Sequence, residues 1–98
     1  MYGTVARLRP KRGQEQGVLE YVAYWVSERK PTIPGAIGGY VYRLENDPGT
    51  WLFTVVFQDR ESYRANAESA AMDADYRRLR ALLVESPVWE DGEIVGQF

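Results

Sequence analysis

Asn66 and Tyr63 stand one helical turn apart in the stretch WLFTVVFQDRESYRAN, residues 51–66. They are the side chains best suited to handle oxygen atoms. A carboxamide both donates and accepts, and a phenol donates, so the pair could orient a carbonyl or a developing oxyanion as catalytic groups. The residues equally admit a structural reading. A buried amide must be hydrogen-bonded to something, and a core tyrosine commonly sends its hydroxyl to solvent. Just before them Phe53, Val55 and Phe57 alternate along one face of a strand, where they could line a slot for a flat aromatic molecule or simply form core. Trp25, Tyr76, Thr4 and Ala6 are expected to border the same space as substrate-binding residues. Thr4 and Ala6 share the inward face of the first strand if Leu8 points inward.

The chain has no histidine and no cysteine. That removes an imidazole general base, every Ser-His or Cys-His pair, and disulfides. A metal would have to rest on carboxylates and carbonyls. Asp73 and Asp75 read as helix-start carboxylates favoured by the helix dipole, so no metal site is expected. Gly35, Gly38 and Gly39 precede a strand and not a helix, which excludes a dinucleotide fingerprint. Arg7 and Arg43 lie within strands, where a charge needs a partner or an edge; intersubunit ion pairs or an anionic ligand would serve.

With 98 residues, 45% hydrophobic and 27% charged, the sequence suits one soluble domain spanning 1–98. The net charge of -2 argues against a nucleic-acid partner. No apolar run is long enough for a membrane span, and the N-terminus reads as a strand and not as a leader. A cytoplasmic location is expected.

The elements that must position these residues follow from periodicity. Tyr2–Arg9 alternates as a first strand, stopped by Pro10. A helix runs to about Arg29, with Val18, Leu19, Val22, Trp25 and Val26 on one arc and Tyr24 opposite, facing solvent or another chain. Pro31–Gly35 breaks it. Ile37–Leu44 is a second strand with a bulge or close approach at Gly38-Gly39, and Asn46-Asp47-Pro48-Gly49 turns the chain into a third strand, Trp51–Phe57. Asp59 caps a helix through about Ser69. Another helix covers Asp73–Glu85 with Met72, Tyr76, Leu79, Leu82 and Leu83 on one face, and a last strand lies in Val88–Phe98. Trp51 and Trp89 are expected at sheet ends or on a dimer surface.

The order predicts an α+β fold, a ferredoxin-like βαββαβ with a four-stranded antiparallel sheet and both helical returns on one face. The other face would carry Leu52, Thr54 and Val56. Monomers seldom expose such a patch, so these three are assigned to the interface of a homodimer with sheets packed face to face.

Pro34-Gly35 opening strand two, and an aromatic strand running into Asp59-Arg60-Glu61-Ser62-Tyr63, give nearly the whole chain a pattern that resembles the antibiotic biosynthesis monooxygenase (ABM) family of the dimeric α+β barrel superfamily. The resemblance implies a homodimer and, in some members, cofactor-independent oxygenation of aromatic polyketides or quinols. Haem-degrading relatives use an Asn on strand one, a Trp ending strand three and a His on a later helix. Those positions fall on Ala6, Phe57 and no residue here, which argues against haem. Where many members carry a His after strand three, this chain has Asn66. The polyketide oxygenases instead use Asn, Trp, Tyr and Arg around an apolar cavity, residue types present here. The expectation is therefore an oxygenase without a cofactor, acting on an aromatic, polyketide or quinol-type ring. The alternative is a non-catalytic dimer that binds a small hydrophobic molecule or serves as an accessory protein; an isomerase or cyclase relative is a third.

Overall fold

The computed structural model describes residues 1–98. Four strands, β1 (Tyr2–Leu8), β2 (Ala36–Leu44), β3 (Asp47–Phe57) and β4 (Trp89–Glu93), form one antiparallel sheet in the order β2-β3-β1-β4. Helix α1 (Glu15–Tyr24) crosses from β1 to β2, while α2 (Arg60–Ala67) and α3 (Ala70–Arg80) return the chain from β3 to β4. This is the expected ferredoxin-like α+β arrangement. No helix is long and apolar enough to cross a membrane.

Alternation sets the sheet's two faces. Thr4, Ala6 and Leu8 of β1 are buried and stand beside Val55, Phe53 and Trp51 of β3 in register. Above them α1 contributes Val18 and Tyr21, α3 contributes Leu79, and the segment after α3 contributes Leu83, closing the core. Fully burying side chains of this size contributes about 1.5–3 kcal/mol each. The opposite face has no helix. Val5, Tyr40 and Tyr42 are exposed there, and Leu52, Thr54 and Val56 are only partly covered. The Thr54 hydroxyl is already engaged with the Tyr40 backbone, accepting from its N–H at 2.9 Å and donating to its carbonyl at 3.3 Å.

Several local expectations change. The buried arc of α1 is Val18, Tyr21, Val22 and Trp25, whereas Leu19 and Val26 are exposed. Tyr24 is rotated inward and packs against the core. Its hydroxyl donates to Asp75 at 3.1 Å, and that bond holds the helix in this rotation. From Trp25 to Arg29 the chain widens into a π-helical turn before the 3-10 turn Lys30–Thr32. Asp75 is not a helix-start carboxylate. It lies mid-helix and 5% exposed, receiving Arg29 Nε at 2.7 Å. Trp51 is core, at 4% exposure, with the Arg43 guanidinium stacked over its ring; the arginine thus has an intrachain partner. Helix α3 stops at Arg80, because residues 82–84 pair with Arg9–Lys11 through Lys11 N–H to Leu82 O and Val84 N–H to Arg9 O, each 2.8 Å.

The β2–β3 hairpin turns at Glu45-Asn46, earlier than Asn46–Gly49. Pro48, Gly49 and Thr50 form an irregularity, since Leu44 pairs with Asp47 but Arg43 with Trp51. Proline is tolerated there because no ladder hydrogen bond is required of it. A bulge also falls between Ala36 and Gly38. A Cβ at Gly39 would overlap the Thr54 carbonyl, the close approach that the paired glycines suggested. Gly35 has φ +81°, and a Cβ on it would meet the Ser62 side chain at about 2.5 Å. Its carbonyl accepts from Gln58 N–H at 2.7 Å.

Candidate functional site

Between the sheet and the helices lies a cavity of about 360 Å³, within the size range of small-molecule sites. The alternation of β3 aims Phe53, Val55 and Phe57 into it, and β1 contributes Thr4 beside Val55. Asp59 caps α2 by accepting from Ser62 N–H at 2.7 Å, and this bond, with that of the Ser62 hydroxyl, lowers its pKa. The cap fixes the start of α2, which then presents Tyr63 and Asn66 to the cavity. Trp25 enters from the π-helical turn and Tyr76 from α3. Eight of the sequence-selected residues therefore meet in one place. Ala6 does not: it is 2% exposed beneath the cavity, within the core.

The walls are mostly apolar, and aromatic edges order them. Phe57 meets Tyr63 edge-to-face, with centroids 5.4 Å apart, and Phe53 meets Trp89 in the same way at 6.0 Å. Such pairs contribute about 0.5–1.5 kcal/mol beyond area burial. Trp89, which opens the edge strand β4, is thus also a wall of the cavity.

Polar groups gather at the β1–β4 side. Asp91 of β4 is opposite Thr4 in register and accepts a 2.8 Å hydrogen bond from the Tyr63 hydroxyl. Burial, reinforced by that bond, pushes Tyr63 up to about 12, so at neutral pH it is a donor and not a base. The Thr4 hydroxyl opposes this shift slightly from nearby. The two do not meet in hydrogen-bonding geometry, and Thr4 Oγ1 is left buried without a partner. No hydrogen bond links the Asn66 side chain to another element; its backbone carbonyl accepts from Ser69.

A second polar cluster lies outside the cavity lining. Asp75 binds Arg29 and the Tyr24 hydroxyl, and the Arg78 guanidinium lies 4.3 Å from the Tyr24 ring centroid. Tyr21 lines the cavity in front of this cluster, and burial, then the Asp75 charge, raises its pKa. Tyr24 is raised as well, by desolvation and by its bond to Asp75.

Sequence reasoning did not find Tyr21, Met72, Asp73, Trp89 or Asp91 as lining residues. Met72 was on the predicted inward arc of the last helix, which was the available signal for it. Trp89 and Asp91 depend on the β1–β4 register. No group of three or more acidic, histidine or cysteine side chains is arranged to hold a metal ion.

Comparison with known proteins gives the lineage. Several solved structures share the fold, three of which illustrate it. One from Chloroflexus aurantiacus J-10-fl, provisionally assigned as an antibiotic biosynthesis monooxygenase, is 21% identical, with a TM-score of 0.75 over 99% of this chain and 95% of that one. One from Caulobacter crescentus CB15, assigned in the same provisional way, is 15% identical, with a TM-score of 0.80 over 97% and 90%. A conserved protein from Methanosarcina mazei Go1 is 16% identical, with a TM-score of 0.77 over 93% and 89%. No curated protein matches the sequence. The family model for antibiotic biosynthesis monooxygenase matches residues 1–77, which includes every predicted cavity residue. The chain belongs to the antibiotic biosynthesis monooxygenase family.

Proposed function

We propose that residues 1–98 act as one ABM domain in a cytoplasmic homodimer. Each subunit takes a flat aromatic or other hydrophobic molecule into its cavity and oxidises an electron-rich phenolic or quinol-type ring with dioxygen, without a bound cofactor. The observation that carries this reading is the cavity itself. Phe53, Val55, Phe57, Trp25 and Tyr76 offer apolar and aromatic surface, with Thr4, Tyr63 and Asn66 as its few polar contacts.

In such a reaction on an anthrone-type substrate, the keto tautomer of a phenol, a ring methylene becomes a carbonyl. One oxygen atom of O₂ enters the ring and the other leaves as water, taking up both methylene hydrogens. The substrate supplies all four electrons. The protein's share is to hold the ring, exclude water and stabilise the oxyanion. The Asn66 carboxamide, unattached to other elements, is available to donate to that oxyanion.

One observation favours the second reading, a binding or accessory dimer without turnover. The cavity contains no neutral-pH base of the histidine kind, and Tyr63 keeps its proton up to about 12.

Mass spectrometry of molecules that co-purify with the native protein, followed by oxygen uptake on an anthrone and dihydroquinone panel, separates the two. Uptake that is lost in Asn66→Ala with the fold intact supports the oxygenase. A retained ligand with no uptake favours the binding protein.

A further inference from the structure

The polar end of the cavity is unbalanced. Asp91 brings two acceptor oxygens and uses one to accept the Tyr63 hydrogen bond. With its O–H engaged in that bond, the Tyr63 oxygen has only lone pairs left to offer. Thr4 Oγ1, 4% exposed at the residue level and with no partner at all, stands across the β1–β4 register from Asp91. A buried hydroxyl without a partner costs about 1–3 kcal/mol, so a group that satisfies it gains that much. The cavity also has Asp73 and Asp91 at its lining, and no lysine or arginine.

We propose that Thr4, Tyr63 and Asp91 form a recognition end for an uncharged ring hydroxyl, which donates to the acceptor pair while accepting from Thr4, and that the cavity rejects ligands carrying a carboxylate. The inference rests on the cavity being the ligand site. It adds the polarity of the contact: the ligand hydroxyl donates to the Tyr63–Asp91 pair and accepts from Thr4. An ether on the same ring can still accept from Thr4 but offers the Tyr63–Asp91 pair no donor, leaving that pair to water. A carboxylate would meet Asp91, which has no ion-pair partner to offset the repulsion; Asp73 is already paired with Arg77 at 3.0 Å and adds little to it.

Calorimetric titration of the full chain at neutral pH with α-naphthol, its methyl ether and α-naphthoate tests this. The naphthol is expected to bind roughly tenfold more tightly than the ether, as a hydrogen bond to a charged acceptor warrants, with naphthoate undetectable. Asp91→Asn is expected to shrink the naphthol-to-ether ratio several-fold, whereas Thr4→Val is expected to weaken naphthol and ether alike, because either oxygen can accept from Thr4, and Thr4→Ser to retain both affinities. Asp91→Asn is expected to make naphthoate binding measurable. A merely structural role for Asp91 would weaken both probes together and leave the ratio unchanged, and a merely steric role for Thr4 would leave Thr4→Val, its near-isostere, with unaltered affinities. Equal affinity for naphthol and ether, preference for naphthoate, a ratio untouched by Asp91→Asn, or affinities untouched by Thr4→Val overturns the assignment while leaving the cavity as a binding site. Failure of every probe to bind overturns the cavity reading, and this inference with it.

Discussion

The Tyr63 hydroxyl donates to Asp91 Oδ1 across 2.8 Å, joining α2 to β4 over a sequence separation of 28 residues. Neither element is otherwise strongly held to the other. Phe57 and Tyr2, both against the Tyr63 ring, complete the anchor.

Tyr63→Phe keeps the ring contacts and deletes this bond. Asp91 is exposed and regains water, so the loss is limited to about 1 kcal/mol. Urea denaturation is expected to show a lower midpoint with an unchanged slope.

Alkaline pH probes the same tyrosine together with Tyr21 and Tyr24, all three raised above the ordinary value of 10.0. A group with a higher pKa in the folded state holds its proton more tightly there. Its contribution to stability is complete below pH 10 and is lost as pH climbs through the folded value. For Tyr63 the window runs from 10 to about 12. Unfolding free energy measured alongside phenolate absorbance is expected to fall across that range. A flat profile would contradict the assignment.

Asp75→Asn leaves the Arg29 guanidinium, whose side chain is 18% exposed, without its counter-charge. Breaking a buried pair by removing one partner costs about 3–5 kcal/mol. The partial exposure of Arg29 lowers the expectation to about 2–3 kcal/mol. Thermal unfolding checks it, and a double-mutant cycle with Arg29→Met is expected to recover part of the loss.

Leu52→Glu places a charge on the sheet face that no helix covers. If this face joins two copies, light scattering at micromolar concentration is expected to give a dimer for the unaltered chain and a monomer for the variant. A monomeric unaltered protein would sink the homodimer.

Local signals in the sequence were reliable where one face or one cap decided the outcome. Alternation alone aimed Phe53, Val55 and Phe57 into the cavity, and Asp59 announced the start of α2. Where a distant partner decided, the signal was absent. Tyr24 turned inward because Asp75, 51 positions later, receives its hydroxyl, and Asp75 is buried because Arg29 reaches it from the π-helical turn. Helical projection assumed that the widest apolar arc would face the core, yet Leu19 and Val26 are exposed while two tyrosines are not. Trp89 and Asp91 belong to a five-residue strand whose side-chain direction follows only from pairing with β1. A stretch so short and polar contains no pattern from which to read its facing.

Gly35 touches no part of the cavity, yet the placement of Tyr63 and Asn66 depends on it. Any side chain there must displace Ser62, whose N–H seats the Asp59 cap, and must also accept a left-handed φ that favours glycine. In a mutational screen scored by ligand binding, substitutions at Gly35 are therefore expected to mimic lesions in the cavity, marking as functional a position that contributes no atom to it.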